Sequence, residues 1–254
     1  MKLAVDIGNT NVVIGLQKDN EWQHIWRLET DKEAEEYNYS IKLNNLLWEA
    51  GINPDEIEKM VLSTVVPDLK EIFISLLNKL NGHRVIPVDK KIYPKLNIHI
   101  PNPDEIGTDL VANAVAVYNK YKQDFIIIDF GTALTFTVID ANGHILGVNI
   151  TPGIKTAINS LSDNTSQLDP VPLVLPASPL GHNTQSAIQN GVLIGYTGLI
   201  SHMIKVLKNE VGDQYRVIAT GGLSQILSDH LPQIDIIDRN LTLDGLSIIG
   251  DLVS

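Results

Sequence analysis

The chain has 254 residues, 44% of them hydrophobic and 19% charged, with a net charge of −11 and no cysteine. This is ordinary globular composition, and it excludes disulfides, thiolate metal sites and a cysteine nucleophile. No cluster of Lys or Arg offers a face for nucleic acid, and no apolar run is long enough for a membrane span.

The opening MKLAVDIGNTN has too short an apolar stretch for a signal peptide and reads instead as a first strand, residues 2–7, ending in an acid. A cytoplasmic protein is therefore expected. Strands follow at Val12 to Leu16 and Trp22 to Leu28, a meander. Apolar positions at helical spacing over 33–50 predict a helix closed by Gly51. Residues 59–66 read as a buried strand, Pro67 to Leu80 as a helix and Arg84 to Val88 as another strand, the alternation of an α/β fold. Residues 93–103 hold three prolines and predict an extended connector before a helix over Asp104 to Tyr121.

At Phe125 the opening theme returns. Phe125 to Asp129 is a buried strand ending in an acid, then come Phe130-Gly131-Thr132 and strands at Thr135 to Ile139 and Ile145 to Ile150. The echo of Asp6 at Asp129 predicts two related halves, 1–120 and 121–254, with a cleft between them. A loop with Pro170, Pro172, Pro176 and Pro179 leads to a long helical stretch from Thr184 to Asn209, interrupted by Gly191, Gly195 and Gly198. Its apolar character suggests core and a dimer interface. A strand at Val217 to Thr220, Gly221-Gly222, a short helix and a last helix at 242–253 complete the chain.

Asp6-Ile7-Gly8-Asn9-Thr10-Asn11 places a carboxylate at a strand end before a glycine turn. Such a carboxylate suits hydrated Mg²⁺, and the turn can bring N–H donors to a phosphate, although Gly and Asn also favour any β-turn. The second copy, Asp129-Phe130-Gly131-Thr132, favours nucleotide binding over coincidence. Thr220-Gly221-Gly222 lets main chain lie against a base or ribose. Asp109, early in a helix and beside Leu110, Val111 and Ala112, is either an acid favoured by the helix dipole or a base that takes a proton from an attacking alcohol.

In this order the motifs resemble the phosphate and adenosine elements of the actin-like ATPases. With Ser63-Thr64-Val65-Val66-Pro67, residues 102–109, Pro152-Gly153 and Gly181-His182-Asn183-Thr184, they resemble type III pantothenate kinases over nearly the whole chain. The resemblance implies an α/β fold of two ribonuclease H-like halves, with mixed sheets flanked by helices. It also implies ATP-dependent phosphorylation of pantothenate, the first step of coenzyme A synthesis, by a homodimer. It implies ATP contacts from Asp6, Ile7, Gly8, Asn9, Thr10, Asn11, Val12 and Val13, and from Thr132 and Gly221. Mg²⁺ would be held through water by Asp6, and K⁺ or NH₄⁺ by Asp129. Asp109 would be the catalytic base, and Ile100, Gly107, Thr108, Asp109, Leu110 and Thr184 would line the pantothenate site, Thr184 reaching it across the dimer.

Four departures stand out. Leu110 occupies a position that is usually Arg in the family and Ile100 one that is often Tyr. Leu134 replaces a common Thr, and Val148-Asn149 a usual Gly-Ala. The first two exchange polar substrate contacts for aliphatic ones, which Lys155 could offset. They leave open a kinase of another small hydroxylated metabolite, or a non-catalytic regulatory relative. Residues 147–156 only superficially suggest a P-loop, the seven histidines have no metal spacing, and the acidic run Glu29 to Glu36 reads as a solvated face.

Overall fold

The computed structural model describes residues 1–163, 171–175 and 178–253; Pro170 and Pro176 of the expected loop lie outside them. The chain opens with β1 (Lys2–Ile7), β2 (Asn11–Lys18) and β3 (Glu21–Glu29), an antiparallel meander. β1 is central and almost continuously buried, whereas the edge strand β3 alternates exposed and half-buried residues, as burial on two faces and on one face requires. α1 (Glu36–Glu49) ends at Gly51, whose φ of 67° is the left-handed conformation that terminates helices.

β4 (Lys59–Thr64) returns parallel to β1, α2 (Pro67–Asn81) follows with Pro in its first turn, and β5 (Ile86–Pro87) pairs parallel with β4. The strand expected over Arg84 to Val88 is two residues long: Val85 N donates to the Asn78 side chain (2.9 Å) instead of to a strand, while Val88 N, just past Pro87, still donates to Leu62 O (2.8 Å). The connector holds a 3₁₀ turn at Tyr93–Lys95. α3 (Thr108–Tyr121) begins four residues later than expected, since Asn102 to Glu105 close a turn (Glu105 N to Asn102 O, 3.2 Å).

A second sheet comprises β6 (Phe125–Phe130), β7 (Ala133–Ile139) and β8 (Ile145–Pro152). α4 (Ile154–Asp163) follows, a helix absent from the sequence reading. Next come α5 (Thr184–Gln189), a π turn at Asn190–Ile194 and α6 (Gly195–Val211), the interruption that the glycines suggested. β9 (Arg216–Thr220), α7 (Ser224–Ser228), β10 (Ile236–Ile237) and α8 (Leu241–Val253) end the chain.

The two sheets share one topology. The first runs β3-β2-β1-β4-β5 and the second β8-β7-β6-β9-β10, each with three antiparallel strands and two added in parallel. Asp6 on β1 therefore has Asp129 on β6 as its counterpart. The first sheet packs a core of Leu3, Val5, Ile7, Leu43, Leu69 and Phe73, among others, and the second a core of Ile126, Ile128, Phe136, Ile200 and Val217.

Contacts group the chain into two units, Met1–Tyr121 with Leu241–Ser254, and Lys122–Asn240. α8 thus joins the first unit rather than the 121–254 half to which the sequence reading assigned it. Ser247 donates to Gln17 (2.6 Å), Trp22 donates to Asp244 (2.6 Å), and Lys59 pairs with Asp251 (2.9 Å). Gly245 lies against the Ala112 carbonyl of α3, where a side chain has no room. The helix that carries Asp109 is buried along Leu110 to Val117 and held by this contact.

Candidate active site

In the first unit, the site elements meet at the ends of β1 and β4. Asp6 stands in register with Ser63, whose hydroxyl donates to Asp6 Oδ1 (2.8 Å) and lies 2.9 Å from Thr108 Oγ1. Thr108 Oγ1 in turn accepts from Thr64 N (3.1 Å), and it lies 3.1 Å from Thr64 O. Thr108 therefore ties the start of α3 to the strand end beside Asp6, and Asp109 follows immediately.

The turn after β1 closes with Gly8 N donating to Asn11 O (2.9 Å), while Thr30 Oγ1 donates to Gly8 O (2.7 Å) and Lys32 Nζ to Asn9 Oδ1 (3.1 Å). A Cβ on Gly8 would sit 3.3 Å from Asn11 O, so the turn is compact. Asn9 and Thr10 are exposed at its tip, while Ile7 and Val12 are buried in the core and so cannot present side chains to a ligand. Val13 is half-buried.

Asp109 is partly buried, and loss of water around its carboxyl raises its pKa above the ordinary Asp value. Backbone N–H donors, Leu110 N at 2.9 Å among them, oppose the shift without cancelling it. Gly107 makes room for this carboxylate, since a Cβ there would lie 2.5 Å from Asp109 Oδ1. Tyr93 is buried on the connector, and its hydroxyl is pushed up to about 12 by burial and by the negative charges of Asp89 and Asp109. The sequence reading did not single it out. Leu110 is buried, 6% exposed, so its side chain is part of the core of α3, while Ile100 is half-buried on the connector.

In the second unit, Asp129 is the penultimate residue of β6, and Gly131 and Thr132 form the exposed turn into β7. This turn is pinned from behind. Gly153 N and Thr156 Oγ1 both donate to Thr132 O (2.9 and 2.7 Å), and Gly153 packs directly on the Gly131 and Thr132 carbonyls. The Pro152-Gly153 motif is thereby explained as the support of the turn. Gly221 has φ 89°, and a Cβ on it would lie 2.7 Å from Asp129 Oδ1 and 2.8 Å from the Phe130 backbone. Lys155 is exposed in the first turn of α4.

Thr184 is exposed at the start of α5. Asn183 caps that helix by accepting from Ser186 N (2.8 Å), so this motif builds a helix end. Among the described residues, no group of three or more His, Asp or Glu could cage a metal ion. The oxygen donors of Asp6 and Ser63 fit Mg²⁺ held largely through water and phosphate oxygens. A monovalent cation at the end of β6 would have the Asp129 carboxylate as its charged ligand. Among the described residues, no helix is long and apolar enough to cross a membrane.

Known proteins share this architecture. A Campylobacter jejuni protein assigned to the Baf family of transcriptional activators matches with a TM-score of 0.59 at 22% identity, over 97% of this chain and 96% of its own. MreB 5 of Spiroplasma citri, solved with AMPPNP bound, matches with a TM-score of 0.56 at 13% identity, over 98% and 95%. EutJ, an ethanolamine utilization protein of Carboxydothermus hydrogenoformans, matches with a TM-score of 0.57 at 16% identity, over 98% and 89%. At such identities the likeness shows the fold, that of the actin-like ATPases, with two mixed sheets each flanked by helices. The sequence itself matches the family model of type III pantothenate kinase over residues 2–206. The paired acid turns, the strand-tied Asp109 and this match carry one conclusion: the chain belongs to the type III pantothenate kinase family.

Proposed function

We propose that this chain transfers the γ-phosphoryl group of ATP to the primary hydroxyl of pantothenate, with Asp109 as the proton acceptor. The observation that carries the reading is the placement of Asp109. It is a carboxyl of raised proton affinity, held by Thr108 at the end of the strand that also orients Asp6. As the acceptor oxygen forms its bond to phosphorus and the bond to ADP breaks, the hydroxyl proton passes to the Asp109 carboxylate.

The 6–13 segment, Thr132 and Gly221 contact ATP in this reading. Given the burial of Ile7 and Val12, that segment acts mainly through its backbone N–H groups. Gly107, Thr108, Ile100 and the backbone of Leu110, whose side chain is buried, line the pantothenate subsite, and Thr184 reaches it from a second copy of the chain. Gly191, Gly195 and Gly198 have open space above them, which would let another helix approach closely in a homodimer. Mg²⁺ held through Asp6 and K⁺ or NH₄⁺ held by Asp129 supply the positive charge that a chain of net −11 lacks at its phosphate site.

The acceptor assignment is tested by comparing kcat/KM for pantothenate with that for pantothenol, in which a hydroxymethyl group replaces the carboxylate. Pantothenate should win by at least about tenfold, since one charge-assisted bond contributes about 1.5–3 kcal/mol. Equal values would mean that the carboxylate is not recognised and that the acceptor is another hydroxylated metabolite.

Gly107→Ala should fold normally, because the atom it meets is the end of the Asp109 side chain. It should lower kcat by about 10²-fold through displacement of that carboxylate. Steady-state kinetics beside a melting curve checks both halves of this expectation.

A further inference from the structure

Asp129 stands between two threonines. It lies directly opposite Thr135 on β7 and in register with Thr220 on β9. Residues so paired project from the same face of the sheet with Cβ atoms about 4.5–5.5 Å apart in the antiparallel pair. Thr220, Asp129 and Thr135 thus form a row of oxygen-bearing side chains on one face. Thr135 is 8% exposed, and its Oγ1 is fully buried with no hydrogen-bond partner. Burying a hydroxyl unpaired is unfavourable, and valine would fill the same space without that cost.

The first sheet supplies the comparison within the same chain. Asp6 holds the position equivalent to Asp129, and its neighbour on β2 is Val13. The fold therefore has no need of a hydroxyl at that place. What distinguishes the second sheet is a carboxylate beside an unpaired buried oxygen, with Gly221 packed so closely that a Cβ on it would lie 2.7 Å from Asp129 Oδ1. A hard, weakly held monovalent cation takes a set of neutral oxygens around one charge.

We propose that the Thr135 hydroxyl is a ligand of the monovalent cation held by Asp129. This rests on the reading of Asp129 as the cation site. The hydroxyl lone pairs face the ion and its hydrogen turns away, so no proton is released on binding.

The test is the melting temperature of the full-length protein as K⁺ is titrated against Li⁺ at constant ionic strength, with and without Mg²⁺ and a non-hydrolysable ATP analogue. Tl⁺ NMR serves as a direct readout of the ion. Wild-type protein should be stabilised by K⁺, and Asp129→Asn should abolish the response. Thr135→Val should raise the K⁺ midpoint by at least about tenfold, yet melt no lower than wild type when K⁺ is absent. Thr135→Ser should restore a midpoint near that of wild type. A normal midpoint in Thr135→Val, with the response lost in Asp129→Asn, would overturn the role of Thr135 alone. A response retained in Asp129→Asn, or absent from wild type under both conditions, would overturn the cation site itself. Thr135→Val melting lower without K⁺ would mark the hydroxyl as structural and likewise overturn the proposal.

Discussion

Asp109→Asn should lower kcat for phosphoryl transfer by about 10²–10⁴-fold, the usual contribution of a positioned general base, while leaving ATP affinity almost unchanged. The amide keeps the shape of the side chain but cannot accept the proton. The pH dependence follows from the raised pKa. The wild-type base must be ionised to work, so the acid limb of kcat/KM should fall above the ordinary Asp value of 3.8, and it should vanish from the residual activity of the variant.

Stability runs the other way. A carboxyl whose folded pKa is raised binds its proton more tightly in the folded state, so folding loses stability as pH rises from 3.8 through the folded value. Asparagine carries no such cost. Asp109→Asn should therefore be at least as stable as wild type at neutral pH, which separates lost chemistry from lost structure. A variant that keeps its acid limb would assign the base elsewhere.

Gly221→Ala should be the most damaging small substitution in the second unit. Its backbone has φ 89°, where an L side chain is strained, and the new Cβ would press on the Phe130 backbone at 2.8 Å. Together these should cost about 2–4 kcal/mol in urea denaturation. The shift should also displace Asp129 and weaken ATP binding. The neighbouring Gly222→Ala is the control, since a Cβ there meets nothing within 4 Å and should stay within about 0.5 kcal/mol of wild type. Equal stability of the two variants would contradict this account of the turn.

The elements that position the site were legible where local rules act alone. β1 and β6 are apolar runs ending in an acid and a glycine turn, and that repeated pattern announced two sheets of one topology. The start of α3 was misread because Asp104 and Glu105 look like first-turn acids; the chain instead makes a turn there, and Asp104 pairs with Lys90 at 2.6 Å. α4 was missed because residues 152–156 carry Pro and Gly, whose role is to brace the 131–132 turn.

The place of α8 could not be read locally, since it depends on contacts such as Ser247 with Gln17 across 230 residues. Leu110 was expected on the substrate side, and the burial of its side chain on α3 depends on tertiary packing that its sequence neighbours do not display. Thr135 looked like any β-branched strand residue. Setting it against Val13 in the internal repeat would have been the signal.

The most direct measurement is mass-spectrometric detection of 4′-phosphopantothenate from purified protein with ATP, Mg²⁺, K⁺ and pantothenate, run beside Asp109→Asn. The account predicts phosphorylated product in step with ADP from the wild type, and almost none from the variant. ADP without phosphorylated pantothenate, or equal product from both proteins, would contradict it.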